Sequence, residues 1–353
     1  MNYKIGLLYG DGIGPEITTA TERMMKAAVN KFDIEMEFPV FPMGWEGIKK
    51  YGDPVPEITK KGLKDCDGWV FAPHDSASYP PEYFKKTNPS GTMRHYFNLY
   101  SNARPAKTYP GVKSHVGEAD VVVFRENTEG ALPDRNMFKG YGEFMPTPDM
   151  VIVNSVFTRK AAERIAHEAF KMAMHRSKHV TVVHKANVIQ MAYGLFRSVC
   201  YEVGKKYYPE VKVDDYHIDA MTKHMVRRLK DFDVIVTTNL FGDILSDLAG
   251  ELTGSLGLAP SINTNETQCM AQAAHGSAPD IAGKNIANPV GLMLSAVMLF
   301  NWLADHHKDS KLSEAANSMQ NAVLNVMKNR ILTPDMGGTA TTTSFTDAVI
   351  KEI

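Results

Sequence analysis

The chain has 353 residues, of which 44% are hydrophobic and 22% charged, with a formal net charge of -1. That length suits one large or two medium domains with a sizeable core, and the near-neutral balance argues against nucleic acid or an anionic membrane as the main partner. Three cysteines (Cys66, Cys200, Cys269) share no metal-ligand spacing, and a set so sparse and odd fits a reducing, cytoplasmic compartment without a disulfide framework.

Lys4 leads straight into an apolar strand at residues 5–9, with no secretory leader expected ahead of it. Further apolar strands are expected at 68–72, 120–124, 179–183 and 233–237. Residues 133–149, rich in Gly, Pro and Met, have no helical period and read as an irregular arm. Thr158 is placed to cap a helix over 159–175, where Ala161, Ile165, Ala169 and Met172 recur at helical spacing. Helices are also expected over 188–205 and 314–329. The most apolar long run, 290–304, is interrupted by Asn301 and too short to span a bilayer. It reads as a core helix with Asn288 as cap and Pro289 at its first position. Strands alternating with helices predict an α/β fold whose helices cover a largely parallel sheet. No internal repeat or low-complexity stretch interrupts the pattern.

The first strand is followed by Gly10-Asp-Gly-Ile-Gly14-Pro-Glu16. Its glycines stand at 10, 12 and 14 rather than in the G-x-G-x-x-G order, so it reads as a tight strand-to-helix turn and not as a Rossmann fingerprint. Three arginines near element ends, Arg94, Arg104 and Arg125, suggest an anionic small substrate, because guanidinium forks bind carboxylates. Arg125 closes the apolar strand before it, and Arg104 precedes Pro105, where a preceding helix must stop. Lys185 follows the strand at 179–183; beside a cation and arginines such a lysine suits a general base, and its bland alternative is a surface lysine. Asp219 reads as a third metal ligand or as a helix cap.

Asp243 and Asp247 lie four apart at the start of a helix that follows the strand at 233–237, so both carboxylates share one face. Ligands bind at the carboxyl ends of strands in open α/β sheets, and hard oxygen donors suit Mg²⁺ or Mn²⁺. The apolar neighbours Ile244, Leu245 and Leu248 argue against a plain solvated surface. The segment from His275 to Lys284 is a loop of small residues around Asp280. Small residues let a ligand approach the backbone, and an acid there accepts ribose hydroxyls and repels a 2′-phosphate, favouring NAD over NADP.

Taken together these segments resemble the β-decarboxylating dehydrogenases of the isocitrate/isopropylmalate dehydrogenase family, with its isopropylmalate, isocitrate, homoisocitrate and tartrate/D-malate members. Six motifs fall in the family's order over nearly the whole chain: 10–16, Arg94 to Pro105, Arg125-Glu-Asn-Thr-Glu-Gly130, His184-Lys-Ala-Asn187, Asn239 to Asp247, and 275–284. The resemblance implies a two-domain fold, distinct from the Rossmann fold, with a shared, largely parallel sheet and an active homodimer. Residues 1–101 and 252–353 would form the cofactor domain, and 102–251 the domain for substrate, metal and dimerisation. It implies that Arg94, Arg104 and Arg125, with Ser90 and Asn88, hold a hydroxy dicarboxylic acid. Asp243 and Asp247, with Asp219 of a second subunit, would hold Mg²⁺ or Mn²⁺, and Lys185, also from that subunit, would accept the hydroxyl proton, with Asp219 beside it. Ile13, His275, Gly276, Ser277, Ala278, Asp280 and Asn288 would meet NAD, and Ile281 stands where NADP users tend to carry tyrosine.

The sequence departs from the family twice. Leu132, in Ala131-Leu132-Pro133, occupies the place of a tyrosine that helps protonate the enol, so Tyr141 or water would have to serve, and a poorly active regulatory subunit is the alternative reading. Before Arg94, where isopropylmalate enzymes carry leucines, stands the small, polar Thr87-Asn-Pro-Ser-Gly-Thr-Met93. Asn88 and Ser90 match, in swapped order, the Ser and Asn of isocitrate enzymes, which ranks a polar or small 3-substituent above isopropyl.

Overall fold

A computed structural model of the chain describes residues 2–83, 88–132, 136, 137 and 139–353, so Thr87 and Pro133 fall outside the described residues. In chain order the elements begin β1 (Tyr3–Leu8), α1 (Gly14–Lys31), β2 (Met36–Glu37), α2 (Trp45–Tyr51), α3 (Glu57–Leu63), β3 (Gly68–Phe71) and α4 (Pro89–Tyr96). Then come β4 (Ser101–Lys107), β5 (Asp120–Glu126), β6 (Glu143–Thr147), β7 (Met150–Val153), α5 (Arg159–Met174), β8 (His179–His184), α6 (Gln190–Tyr207), β9 (Lys212–His217) and α7 (Ile218–Arg228). The chain closes with β10 (Val234–Thr237), α8 (Asn239–Thr253), β11 (Ile262–Thr264), β12 (Cys269–Ala271), α9 (Val290–His307), α10 (Ser310–Lys328) and α11 (Thr342–Glu352).

Two compact units result. One holds the chain up to Met93, Tyr109–Lys113 and Gly254–Ile353; the other holds Arg94–Thr108 and Ser114–Thr253. In the first, strands lie in the order β2-β1-β3-β12-β11, all parallel except β11 against β12. In the second the order is β4-β5-β10-β8-β9, parallel except β4 against β5. The expected α/β class with a mostly parallel sheet is therefore present. All four residues of β3 and of β10 are buried, as strands covered by helices on both faces require.

The first unit's core forms around α9, buried almost all round, where Leu292, Leu299, Phe300 and Leu303 meet Ile17 and Met24 of α1 and Met319 of α10. This helix starts at Val290, with Pro289 outside it as the cap position, and Asn288 Oδ1 accepts the Val290 N–H at 3.0 Å. Asn288 therefore caps the start, as expected, from one residue further out. Thr158 caps α5 by accepting the Ala161 N–H at 3.2 Å, as its position predicts. No described helix is long and apolar enough to cross a membrane. All three cysteines are free and buried.

Three expectations need correction. The segment before Arg104 is not a helix end: Arg104 and Pro105 stand inside β4. Pro105 is tolerated there because its partner Val122 donates its own N–H to Asp233, on the other side, so the missing proline donor costs the β4–β5 ladder nothing. The supposedly irregular arm holds strand β6, which pairs antiparallel with β7 just beyond it, and the residues of both are exposed. Lastly, β9 was not foreseen. Its Lys-Val-Asp-Asp-Tyr-His sequence is polar because it is an edge strand, half-covered by the core.

Candidate active site

In the second unit the parallel strands bring their carboxyl ends together. Thr237 at the end of β10 pairs with Arg125 of β5 on one side and Val183 of β8 on the other. The antiparallel β4 adds Asn102 opposite Arg125. Helix α8 then runs over this edge, close enough that a Cβ at Gly242 would stand 2.6 Å from the Arg125 side chain, which only glycine avoids.

Two arginines make a buried floor beneath α8. Arg125 donates from Nε and Nη2 to Asn239 Oδ1 at 3.0 and 2.8 Å, and from Nη1 to Asp243. Arg104 donates from Nε to Asn102 Oδ1 at 2.6 Å and from Nη1 to Ser246 Oγ at 2.8 Å. The same Nη1 lies 3.3 Å from both Asp243 and Asp247, bridging the pair. The arginine side chains are 7% and 3% exposed while the two aspartates are 44% and 49% exposed, so positive charge lies below and carboxylate oxygens at the rim. Burial raises the Asp247 pKa, with the like charge of Asp243 adding to it and Arg104 opposing. Two accessible hard oxygens on one helix face fit a divalent cation, which would relieve their repulsion. Among the described residues no three potential ligands cluster, so this geometry supplies two acids. Of the expected apolar neighbours, Leu245 is buried but Ile244 is exposed.

Lys185 begins the turn after β8, and its Nζ donates to the carboxylate of Asp219 in the first turn of α7. The α7 cap position belongs to His217, so Asp219 is not the cap; its pKa is lowered by the Lys185 hydrogen bond. The turn is anchored by His184, whose Nδ1 accepts the Ala186 N–H at 3.0 Å. The ring proton therefore sits on Nε2, donated to Asp215 Oδ1 at 2.8 Å. Burial lowers the His184 pKa, with the Asp215 hydrogen bond opposing. Asp215 Oδ2 accepts from Arg197 at 2.9 Å and Tyr201 at 2.6 Å; burial would raise its pKa, but these bonds and that from His184 pull it well down. Beyond Lys185, Val188, Ile189 and Met191 are exposed, Met191 at 92%.

The Glu126 carboxylate, which sequence reasoning passed over, is buried and accepts the N–H groups of Thr128 and Glu129, folding the turn after Arg125. Burial raises its pKa. Leu132 is partly buried, and Tyr141 lies exposed just before β6. Arg94 is buried on α4. Asn88 is exposed and accepts the Gly91 N–H at 2.8 Å, holding the start of α4.

In the first unit the early turn and the late loop meet. The Ile13 N–H donates to the Ser277 carbonyl at 2.8 Å, and a Cβ at Gly12 would stand 2.0 Å from that oxygen. Gly12 also has φ +60°, so glycine is required twice over. Gly276 borders open space, Ala278 holds φ 37°, and Asp280 is exposed. Burial lowers the His275 pKa, and its Nδ1 lies 3.0 Å from the Gly276 carbonyl. Asn288 is less available than its place suggests, since its amide donates to Asp335 Oδ2 at 2.9 Å. Asp11, inside the first turn, is a buried anchor that accepts from the Trp45 N–H at 2.8 Å, the Asp75 N–H at 3.0 Å and the Tyr79 hydroxyl at 2.5 Å. Of the residues expected to meet a dinucleotide, Ile13 and Ser277 thus touch each other through their backbones.

The sequence profile of the isocitrate/isopropylmalate dehydrogenases matches residues 4–349. An isocitrate/homoisocitrate dehydrogenase from Thermus thermophilus is 40% identical over 355 residues, covering 100% of this chain and 99% of that protein. A 3-isopropylmalate/3-methylmalate dehydrogenase from Methanocaldococcus jannaschii is 38% identical, covering 99% of each. The crystal structure of isocitrate dehydrogenase from Methylococcus capsulatus is similar at a TM-score of 0.88 and 33% identity, over 99% of both chains.

Proposed function

The chain belongs to the isocitrate/isopropylmalate dehydrogenase family, which makes it a decarboxylating dehydrogenase, and on that premise we propose that it uses NAD⁺ to oxidise a 3-substituted (2R)-malate-type hydroxy acid, with loss of the β-carboxylate as CO₂. The observation that carries this is the floor of Arg104 and Arg125 beneath the half-exposed Asp243 and Asp247. Buried guanidiniums neutralise a dicarboxylate, and accessible acids hold a cation beside its hydroxyl.

Arg94, Arg104 and Arg125 bind the substrate carboxylates. Asp243 and Asp247, with Asp219 of a second copy, would hold Mg²⁺ or Mn²⁺, which would supply Lewis-acid stabilisation of negative charge on the substrate. Lys185 accepts the proton of the 2-hydroxyl, and Ile13, residues 275–280 and Asn288 would hold NAD⁺, which would supply a hydride acceptor. Leu132 offers no proton for the enol, leaving water or Tyr141 to supply it. In this reading the first unit binds cofactor and the second binds substrate, metal and a second copy, within a cytoplasmic homodimer. Support for the homodimer comes from the exposed apolar side chains Phe144, Met145, Val151 and Ile152 of the hairpin, with Val188, Ile189 and Met191 beside Lys185. A two-stranded hairpin is marginal alone and gains from being covered.

The test is NAD⁺ reduction with Mn²⁺ across D-malate, tartrate, isocitrate, homoisocitrate and 3-isopropylmalate, with NADP⁺ in parallel. Turnover of at least one acid is expected, with kcat/KM about 10²-fold lower for NADP⁺ because Asp280 repels a 2′-phosphate. Silence on every acid despite NADH binding would instead favour a ligand-binding, non-catalytic subunit.

His184 also has a measurable part. His184→Ala removes the acceptor that holds the Ala186 N–H and frees the turn bearing Lys185. Its kcat is expected to fall about 10-fold through lost orientation, with NADH affinity, read by fluorescence, unchanged.

A further inference from the structure

Asn239 opens α8 with its side chain wholly enclosed, at 0% exposure. Arg125 donates to its one oxygen Oδ1 twice, from Nε at 3.0 Å and from Nη2 at 2.8 Å. The turn after β5 packs against it as well, since a Cβ on Gly130 would stand 3.3 Å from the Asn239 Cβ. A guanidinium only donates, so it fixes which end of the amide is oxygen and turns Nδ2 away from itself. Among the described residues that Nδ2 meets no acceptor.

Buried amide groups normally find partners, and one left without costs stability. An aspartate would occupy the same space and carry no orphan donor. It would also make charge-assisted bonds to Arg125, which are roughly twice as strong as neutral ones. Local bonding therefore does not explain the amide, whereas the charge of the site does. Beside Asn239 stand two buried cations, Arg104 and Arg125, and two rim anions, Asp243 and Asp247. Arg104 Nη1 lies 3.3 Å from both acids and Arg125 binds Asp243, so the four charges cancel at close range. A divalent cation at the rim would bring the sum to plus two, and the two carboxylates common to all malate-type acids would return it to zero. A carboxylate at position 239 would subtract one charge before the substrate arrives.

We propose that Asn239 is a positioning residue whose neutrality sets the charge of the site: it clamps the Arg125 guanidinium while leaving the sum at zero, so that the cation-loaded site draws a doubly charged hydroxy acid. Asn239 is enclosed and acts through Arg125, not on the substrate directly. The inference rests on the dehydrogenase reading above and deepens it, from which residues bind the acid to what fixes their combined charge.

Asn239→Asp changes the charge at nearly constant shape, and the Arg125 fork holds the introduced carboxylate ionised. One charge a few ångström away in a partly buried site shifts binding by about 10- to 100-fold. Two readouts are expected to move in opposite directions. Mn²⁺ affinity without substrate, followed by proton relaxation, should rise by about 10-fold. The KM for the best-turned acid among D-malate, tartrate, isocitrate, homoisocitrate and 3-isopropylmalate should rise by about 10- to 100-fold at saturating Mn²⁺, with the KM for NAD⁺ unchanged. A merely structural role would weaken Mn²⁺ and acid together. Asn239→Ala removes the clamp without adding charge; it should raise the acid KM and leave Mn²⁺ affinity unchanged. NADH binding confirms that each variant is folded. A folded Asn239→Asp with an unchanged acid KM, or with weaker Mn²⁺ binding, overturns the proposal, and so does Mn²⁺ affinity that falls along with the acid's in Asn239→Ala. With an active wild type, these failures leave the dehydrogenase reading standing. A wild type that oxidises none of the acids brings down that reading and the proposal with it.

Discussion

Lys185→Met is expected to lower kcat by about 10²–10⁴-fold, the usual worth of a positioned general base, while NADH binding persists. Methionine keeps the length and much of the shape of lysine but has no proton acceptor. The substitution also removes the partner of Asp219, a carboxylate that is 68% exposed and remains solvated, so stability should hardly change. Rapid-mixing measurement of a single turnover separates the outcomes. A slowed hydride step with unchanged substrate KM is expected; full activity would remove Lys185 from the proton path. Because Lys185 is proposed to act across a dimer, mixing the variant with a chain disabled at Arg125 supplies a second readout. Partial recovery on mixing is expected if sites are built from two copies.

Asp243 and Asp247 should separate in a way their spacing does not suggest. Asp243→Asn and Asp247→Asn are each expected to lower activity at least 100-fold at fixed, low Mn²⁺, since each removes a proposed ligand charge. They differ in stability. Asp243 receives hydrogen bonds from Arg104 and Arg125, whose side chains are almost wholly buried. Neutralising it removes the carboxylate that the buried Arg125 binds, and about 2–4 kcal/mol of stability should be lost. Asp247 meets Arg104 at 3.3 Å and is half-exposed, so its loss should cost under about 1 kcal/mol. Urea unfolding without metal reads this difference, and Mn²⁺ titration followed by proton relaxation reads the affinity. Equal stability in the two variants would show that the buried arginines do not depend on Asp243.

Much of this arrangement is legible in the chain because it lies where local rules are strong. Apolar runs such as those at β5, β8 and β10 mark buried parallel strands, and the residues just past them, Arg125, Lys185 and Asn239, then fall at the ligand-binding edge. The i, i+4 spacing of Asp243 and Asp247 gives their common face directly. What escaped has a physical reason in each case. Strand β4 hid behind Pro105, because a proline in a strand is read as a break unless its missing donor faces away from the ladder. Edge strand β9 lacks the apolar signature, and the exposed hairpin β6–β7 has no buried face to impose alternation. Asp11 gave no signal of its own in the chain, although its carboxylate anchors the turn's neighbours.

The bond between Ile13 and Ser277 joins two segments 264 positions apart through peptide groups alone. Every residue except proline carries the same donor, and every residue the same acceptor. The seam is thus written in a currency common to all amino acids, and a family of descendants can exchange the letters at 13 and 277 without losing it. What they cannot exchange is the empty space at Gly12, against which the Ser277 carbonyl rests. Drift along this lineage would leave the join almost anonymous at its two bonded residues and record it as one unvarying gap beside them.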